Sequence, residues 1–390
     1  MKKNFIAYHD NCLDGFMAAF ITHYKAIYDG LSNVVMLPIN YNNKVPIELF
    51  NNGDSLIVVD FSFKNKDINA IVDKGVNVVI VDHHKTFIEE YFGQYFIKNN
   101  LLNPDKYYHL WSLCDCDDFS LFSKKINENK NHKDELAIYV AYNDFETKPK
   151  HNKLSGAGLC YSLLKDDKNF ISFIKTFARQ EIIETITIAQ DYDLWNHDGK
   201  PKTLSSYLAS WFYDWYKQNK DLRKQLIENP DKSNDIFITL KNLFINTPLK
   251  DKLELGKEIV SNKLNEINEL CANVSPVVFN KAAQIEDGTI KVGFIPGDRP
   301  AALSISLTGS TLLQDYGYDV AIMEAFSGEK EITYSMRSDK DKKNVDLTVI
   351  IERLIKANVA ISGGGHTNAA GITISRENKE VLFYTLLQSQ

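Results

Sequence analysis

The chain lacks paired cysteines. Its five Cys are an odd number with no C-x-x-C pair and no zinc spacing, so neither a disulfide framework nor a zinc module organises it. Cys114 and Cys116 lie in the polar string Leu-Cys-Asp-Cys-Asp-Asp and read as free thiols on a loop, which suits a reducing cytosol. Long hydrophobic runs are missing too. No stretch of 18 apolar residues occurs, and the apolar run after Met1-Lys2-Lys3 stops at His9-Asp10, too early for a signal-peptide core. The expectation is a cytoplasmic protein without a membrane span. Positive charge is not in excess: 45 Lys and Arg face 51 Asp and Glu, for a formal net charge of -6. That argues against a broad basic face for long duplex DNA but permits a local basic groove. No internal repeat or low-complexity tract is visible.

What remains is an ordinary globular balance, with 44% hydrophobic, 25% charged and 12% aromatic residues. At roughly 150 residues per domain, 390 residues imply two or three domains. A chain of this length buries about 75% of its unfolded surface and needs no staple.

The first hundred residues alternate apolar runs with helical spacing. Phe5–Tyr8, Val34–Ile39, Leu56–Val59 and Val76–Val81 are near-continuous runs, and Asp14–Tyr28 carries Phe16, Met17, Phe20, Ile21, Tyr24 and Ile27 at helical intervals. Such a pattern predicts a parallel sheet covered on both faces, a doubly wound α/β domain. Residues 99–150 are polar and read as an insertion with one helix near Glu135–Tyr142. Ser155-Gly-Ala-Gly opens another helix with Ser155 as N-cap. Glu181–Trp195 and the aromatic Leu204–Tyr216 are helices, the latter's rings reading as core. Pro248–Asn273 is one long charged helix with the domain boundary along it. A second α/β unit follows, with strands at Val277–Phe279, Lys291–Ile295, Val320–Glu324, Glu331–Arg337 and Gly371–Ile374 and helices from Ala301 and Val345. The expected division is 1–247, a linker helix over 248–275, and 276–390.

Three apolar runs end on chemistry: His9-Asp10, Asp60 and Asp82-His83-His84. In open α/β sheets, ligands bind outside the carboxyl ends of the strands, so these ends point at one crevice. Imidazole with carboxylate suits a divalent transition metal such as Mn, Fe, Co or Zn. Further on, Gly363-Gly364-Gly365-His366 offers backbone that can approach an anion closely. Arg337, at a strand end, has the fork that grips phosphate or carboxylate.

Together these strings resemble the DHH phosphoesterase family, in the branch with a C-terminal DHHA1 domain that includes nanoRNase and oligoribonuclease-like enzymes. The matching pieces are Tyr8-His-Asp-Asn-Cys-Leu-Asp-Gly15, Val58-Val-Asp60-Phe-Ser, Val81-Asp-His-His-Lys-Thr86, Gln190-Asp-Tyr-Asp-Leu-Trp195 and Gly363–Gly371, in the family's order. The resemblance spans residues 4–98, 152–197 and 250–375. It implies an N-terminal doubly wound DHH domain, a smaller C-terminal α/β DHHA1 domain, and an active site in the cleft between them. It also implies hydrolysis of a phosphoester with two divalent ions, usually Mn²⁺.

On this resemblance Asp60 bridges the two ions. Asp14, His83 and Asp191 complete one site, with Asp193 the alternative to Asp191, and His9 belongs to the other. His84 sits beside the scissile phosphate, Asp82 orients its neighbours, and Arg337, Gly364, Gly365 and His366 hold substrate phosphate. One position departs from the family string His-x-x-Asp-x-Asp: Cys12 stands where the first carboxylate would. A thiolate there favours Zn²⁺ or Fe²⁺. Alternatively Cys12 does not ligate, and Asp10 or a water fills the position. The implied activity is cleavage of short single-stranded oligonucleotides to mononucleotides. Cyclic or linear dinucleotide hydrolysis, polyphosphate or pyrophosphate hydrolysis, and a degenerate nucleotide-binding module are the alternatives. A homodimer is one candidate assembly.

Overall fold

The computed structural model describes residues 2–40, 44–84, 110–112, 136–140, 154–178, 181–194, 196, 200–275, 277–280, 289–297, 305–338, 345–366 and 368–382. Cys114, Cys116, Lys85-Thr86, Trp195 and the start of the helix expected from Ala301 lie outside them. The chain divides into two units, Met1–Asp198 with Lys202–Lys257, and Gly199–Pro201 with Glu258–Gln390.

Among the described residues the first unit holds six strands: β1 (Asn4–His9), β2 (Val34–Ile39), β3 (Ser55–Val59), β4 (Asn77–Asp82), β5 (Leu110–Ser112) and β6 (Leu136–Val140). They pair in the order β2-β1-β3-β4-β6-β5, and every pairing is parallel. The helix expected near Glu135–Tyr142 is instead β6, paired with β4 from Val78↔Leu136 to Asp82↔Val140. Leu-Ala-Ile-Tyr-Val is a short apolar run whose length fits a strand rather than a three-turn helix. The polar stretch thus lends two strands to the main sheet.

Alternation sorts the strand residues between two cores. Ile6 and Tyr8 face the helices α1 (Leu13–Tyr28), α3 (Gly156–Leu164), α5 (Glu181–Asp193), α6 (Leu204–Gln218) and α8 (Ser233–Asn246). Phe5 and Ala7 face α2 (Asn65–Val72) on the other side. Helix α4 (Lys168–Phe177) joins the first layer, and α7 (Lys220–Glu228) follows α6. The rings of α6 are core, as expected: Phe212 stacks on Tyr216 at 5.0 Å, and Phe16 of α1 lies 5.6 Å from Phe212. Helix α9 (Leu249–Ala272) carries the chain from the first unit to the second, with the division at Lys257–Glu258.

The second unit is a mixed sheet of β7 (Val277–Asn280), β8 (Thr289–Ile295), β9 (Val320–Ser327), β10 (Glu331–Ser338), β11 (Ala360–His366) and β12 (Ala369–Ser375), ordered β11-β12-β10-β9-β8-β7. Helix α11 (Leu347–Lys356) packs on one face with Ile332, Tyr334 and Met336. Helix α10 (Ile305–Gln314) packs with Ala321 and Met323. Among the described residues, no helix is long and apolar enough to cross a membrane.

Candidate metal centre

β1 lies between β2 and β3. The chain runs from β1 out to β2 on one side and then crosses back to β3 on the other, and a doubly wound sheet opens its binding crevice at such a point. His9 closes β1, Asp60 follows β3, and Asp82-His83-His84 ends β4. Asp60 takes a left-handed backbone, φ 51°, which Asp tolerates better than most residues. Its N–H donates to Val81 O at 2.9 Å, tying the turn to the neighbouring strand.

The side chains converge on Asp60, which is fully buried. His83 Nε2 lies 3.0 Å from Asp60 Oδ1 and 3.2 Å from Asp193 Oδ2. His9 Nδ1 is 3.8 Å from Asp60 Oδ2, and the Cys12 thiol donates to the same oxygen at 3.6 Å. Three overlapping groups could each hold a metal ion: His9, Cys12 and Asp60; Asp60, His83 and His84; and Asp14, His83 and Asp193. Asp60 and His83 each belong to two of them.

Asp82 orients the histidines. Its Oδ1 accepts from the N–H of His83 at 2.8 Å and of His84 at 3.2 Å, and it pairs with His84 Nδ1 at 2.7 Å. Burial alone would raise the Asp82 carboxyl, but the two histidines outweigh it and hold it near about 2. His84 is moved the opposite way: burial opposes its charge, and Asp82 more than restores it.

Asp10 does not take the position of the missing carboxylate. It turns away, accepting from Tyr216 Oη at 2.5 Å, Arg223 at 3.1 Å and Asn40 Nδ2 at 3.4 Å. Arg223 in turn lies 3.8 Å over the Tyr216 ring. Cys12 is what stands beside His9 and Asp60.

The donor set fits a divalent cation. Burial, followed by the charges of Asp60 and Asp193, pushes Asp14 well above the usual carboxylate range, and burial raises Asp193 as well. His83 is desolvated, yet Asp193, Asp60 and Asp14 drive it up to about 10. Carboxylates that destabilise one another in a buried pocket call for positive charge, which the His83 imidazolium supplies in part. Asp193 Oδ2 is buried and, beyond its ion pair with His83 Nε2, accepts no hydrogen bond from the described residues. Buried imidazole and carboxylate together match Mn²⁺, Fe²⁺ or Zn²⁺.

Asp193, not the expected Asp191, faces this cluster. Asp191 accepts from Asn196 Nδ2 at 3.1 Å instead. Two residues are about 200° apart around a helix, so only one of the pair can face β4. A usable signal was present: Ile182, Ile186 and Ala189 are buried, and Asp193, four residues on, continues their stripe. Sequence reasoning also missed the link from Ser155 to Asp14 and the Tyr216–Arg223 grip on Asp10.

The second unit gathers the expected phosphate-binding residues in its own sheet. Arg337 and His366 both pair with Ala369, placing all three in one row across β10, β12 and β11. The triglycine string lies within β11 itself. Gly364 pairs with Gly371 and Gly365 with Ala370, and Gly365 has φ 142°. β11 ends the sheet order, so its outer backbone groups have no strand partner among the described residues.

Comparison of the structure with solved ones gives its family of folds. A DHH-domain member of the s1p family of ribosomal proteins superposes with TM-score 0.52 at 16% identity, covering 99% of this chain and 85% of that one. The fold is that of a DHH domain. Manganese-bound RecJ exonuclease is also similar, at TM-score 0.47 and 11% identity over 99% of this chain and 89% of that one. So is an exopolyphosphatase-related protein from Bacteroides fragilis, at 0.44 and 12% over 99% and 92%. No protein-family profile matches the chain, and no curated protein sequence does.

Within this DHH fold, Cys12 is both the N-cap of α1 and a member of a ligand group, and its side chain makes no capping bond. Burial and the surrounding carboxylates raise its thiol well above the ordinary value. A cation beside the sulfur would favour loss of that proton. If the thiolate binds, Cys12→Ser is expected to lose one ion per chain, while Cys12→Asp keeps Mn²⁺ because a carboxylate suits the harder ion. Metal content by mass spectrometry decides it: two bound ions in Cys12→Ser would remove the thiolate from the site.

Proposed function

We propose that the chain is a divalent-metal-dependent phosphodiesterase that shortens single-stranded oligonucleotides to mononucleotides. The observation that carries this reading is the sharing of ligands. Asp60 belongs with His9 and Cys12 in one group and with His83 and His84 in a second, and His83 belongs in turn with Asp14 and Asp193 in a third. Shared carboxylates are what a two-ion site needs. Two divalent ions, when bound, supply a hydroxide nucleophile at neutral pH and offset charge on the leaving oxygen.

The chain's own residues do the rest. A ligating imidazole is neutral, so His83, which Asp193, Asp60 and Asp14 favour in its protonated form, would have to release that proton to serve as a ligand. His84 is fixed by Asp82 through Nδ1, so its ring plane is set and the proton on Nε2 can be directed at a phosphate or leaving oxygen. Arg337 and His366, with the backbone of Gly364 and Gly365, are assigned to hold substrate phosphate. The net charge of -6 favours short substrates, whose few phosphates need little neutralisation.

The test is Mn²⁺-dependent release of mononucleotide from an end-labelled trinucleotide. The expected result is metal-dependent release that a chelator stops. Cleavage of polyphosphate or pyrophosphate in place of the trinucleotide would overturn the substrate class. Hydrolysis of none of these, with nucleotide still bound, would make the chain a binding module.

A further inference from the structure

The segment Ser155-Gly156-Ala157-Gly158 does more than start a helix. Ser155 Oγ caps α3, accepting from Gly158 N–H at 3.2 Å. The same hydroxyl donates its proton to Asp14 Oδ1 at 2.6 Å, and Ala157 N–H donates to Asp14 Oδ2 at 3.1 Å. Both carboxylate oxygens of Asp14 are therefore held by the first turn of α3. Ser155 is fully buried and Asp14 nearly so, which makes these bonds strong and their loss costly.

The next residue touches a second ligand. A Cβ on Gly156 would collide with Cβ and Oδ1 of Asp60, so only glycine lets α3 approach so closely. The segment is tied to a third ligand through α5. Ser155 N–H donates to Gln190 Oε1 at 3.2 Å, and a Cβ on Gly158 would meet that same amide. Gln190 lies three residues before Asp193, on the same side of the helix. One short segment thus contacts Asp14 and Asp60 directly and the Asp193 helix through Gln190.

We propose that the α3 N-terminus is the positioning element of the metal centre, with Ser155 and Ala157 fixing Asp14, and Gly156 setting the place of Asp60. The proposal rests on the metal-binding reading above and goes beyond it. An ionised carboxylate has about four lone-pair sites. Two are used by the donors from α3, which leaves the others for an ion shared with His83 and Asp193, the companions of Asp14 in its ligand group. The donors set which way the carboxylate faces and lower the cost of keeping it charged among Asp60 and Asp193. Ser155 does this without touching the ion itself.

The two roles of Ser155 separate by substitution. Glycine is a tolerated N-cap, costing only a few tenths of a kcal/mol, but has no hydroxyl to give Asp14. Threonine keeps both the cap and the donor. The experiment is titration of wild type, Ser155→Gly and Ser155→Thr with Mn²⁺ by calorimetry, alongside thermal unfolding in chelator. Ser155→Gly should still unfold cooperatively in chelator, at a lower temperature than wild type, yet bind one of its two ions about 10- to 100-fold more weakly, the range seen when a partner of a metal ligand is removed. Ser155→Thr should restore the affinity. Two ions bound by Ser155→Gly with wild-type affinity would overturn the proposal and leave the metal reading standing. Absence of binding in wild type would overturn the metal reading and this inference with it. Should Ser155→Gly fail to fold, Gly156→Ala takes its place. Its added methyl is expected to displace Asp60 and weaken Mn²⁺ binding at least about 10-fold, and unchanged affinity there would equally overturn the proposal.

Discussion

Asp60→Asn is expected to leave less than about 1% of wild-type hydrolysis while preserving the fold. The side chain stands at the meeting point of His9, Cys12 and His83, so removing its charge weakens both ligand groups at once. Asparagine is the right replacement because position 60 has φ 51°. Asn tolerates that left-handed backbone, whereas Ala would add about 1–2 kcal/mol of strain and confuse a folding loss with a chemical one. Circular dichroism should match wild type. Activity of a few per cent or more would show that Asp60 is not shared between two ions.

Asp193→Asn and Asp191→Asn should differ sharply. Removing the partner of a metal ligand costs about 10- to 100-fold, and a direct ligand more, so Asp193→Asn is expected to lose at least about 100-fold in kcat/KM. Among the described residues the Asp191 carboxylate holds the Asn196 amide, so Asp191→Asn should stay within about two- to three-fold of wild type. Steady-state rates on one substrate, at saturating Mn²⁺, suffice for the comparison. Equal losses, or a larger loss in Asp191→Asn, would return the ligand role to Asp191 and require a different face of α5 to meet β4.

This pair shows what the sequence could and could not say. Asp60, His83 and His84 were legible because each follows an apolar strand, and strand ends in a parallel sheet share one edge. Cys12 was legible as an oddity, and its nearness to Asp60 follows from β1 and β3 being neighbours. Choosing between Asp191 and Asp193 needed the helix face, which family spacing does not carry but the stripe Ile182–Ile186–Ala189 does. The strand at Leu136–Val140 was hidden by its polar surroundings. It forms because an edge of β4 was open to it, which is a tertiary fact rather than a local one. Ser155 was readable as a cap, but its second bond reaches Asp14, 141 residues away in sequence. Nothing local announces such a partner.

The proposed chemistry requires two ions held by one shared carboxylate. The most direct measurement is a count of Mn²⁺ on the purified chain, by calorimetry together with electron paramagnetic resonance, in wild type and Asp60→Asn. Wild type is predicted to bind two ions with the signature of a magnetically coupled pair. Asp60→Asn is predicted to bind at most one, uncoupled. One isolated ion in wild type, or two coupled ions in Asp60→Asn, would contradict it.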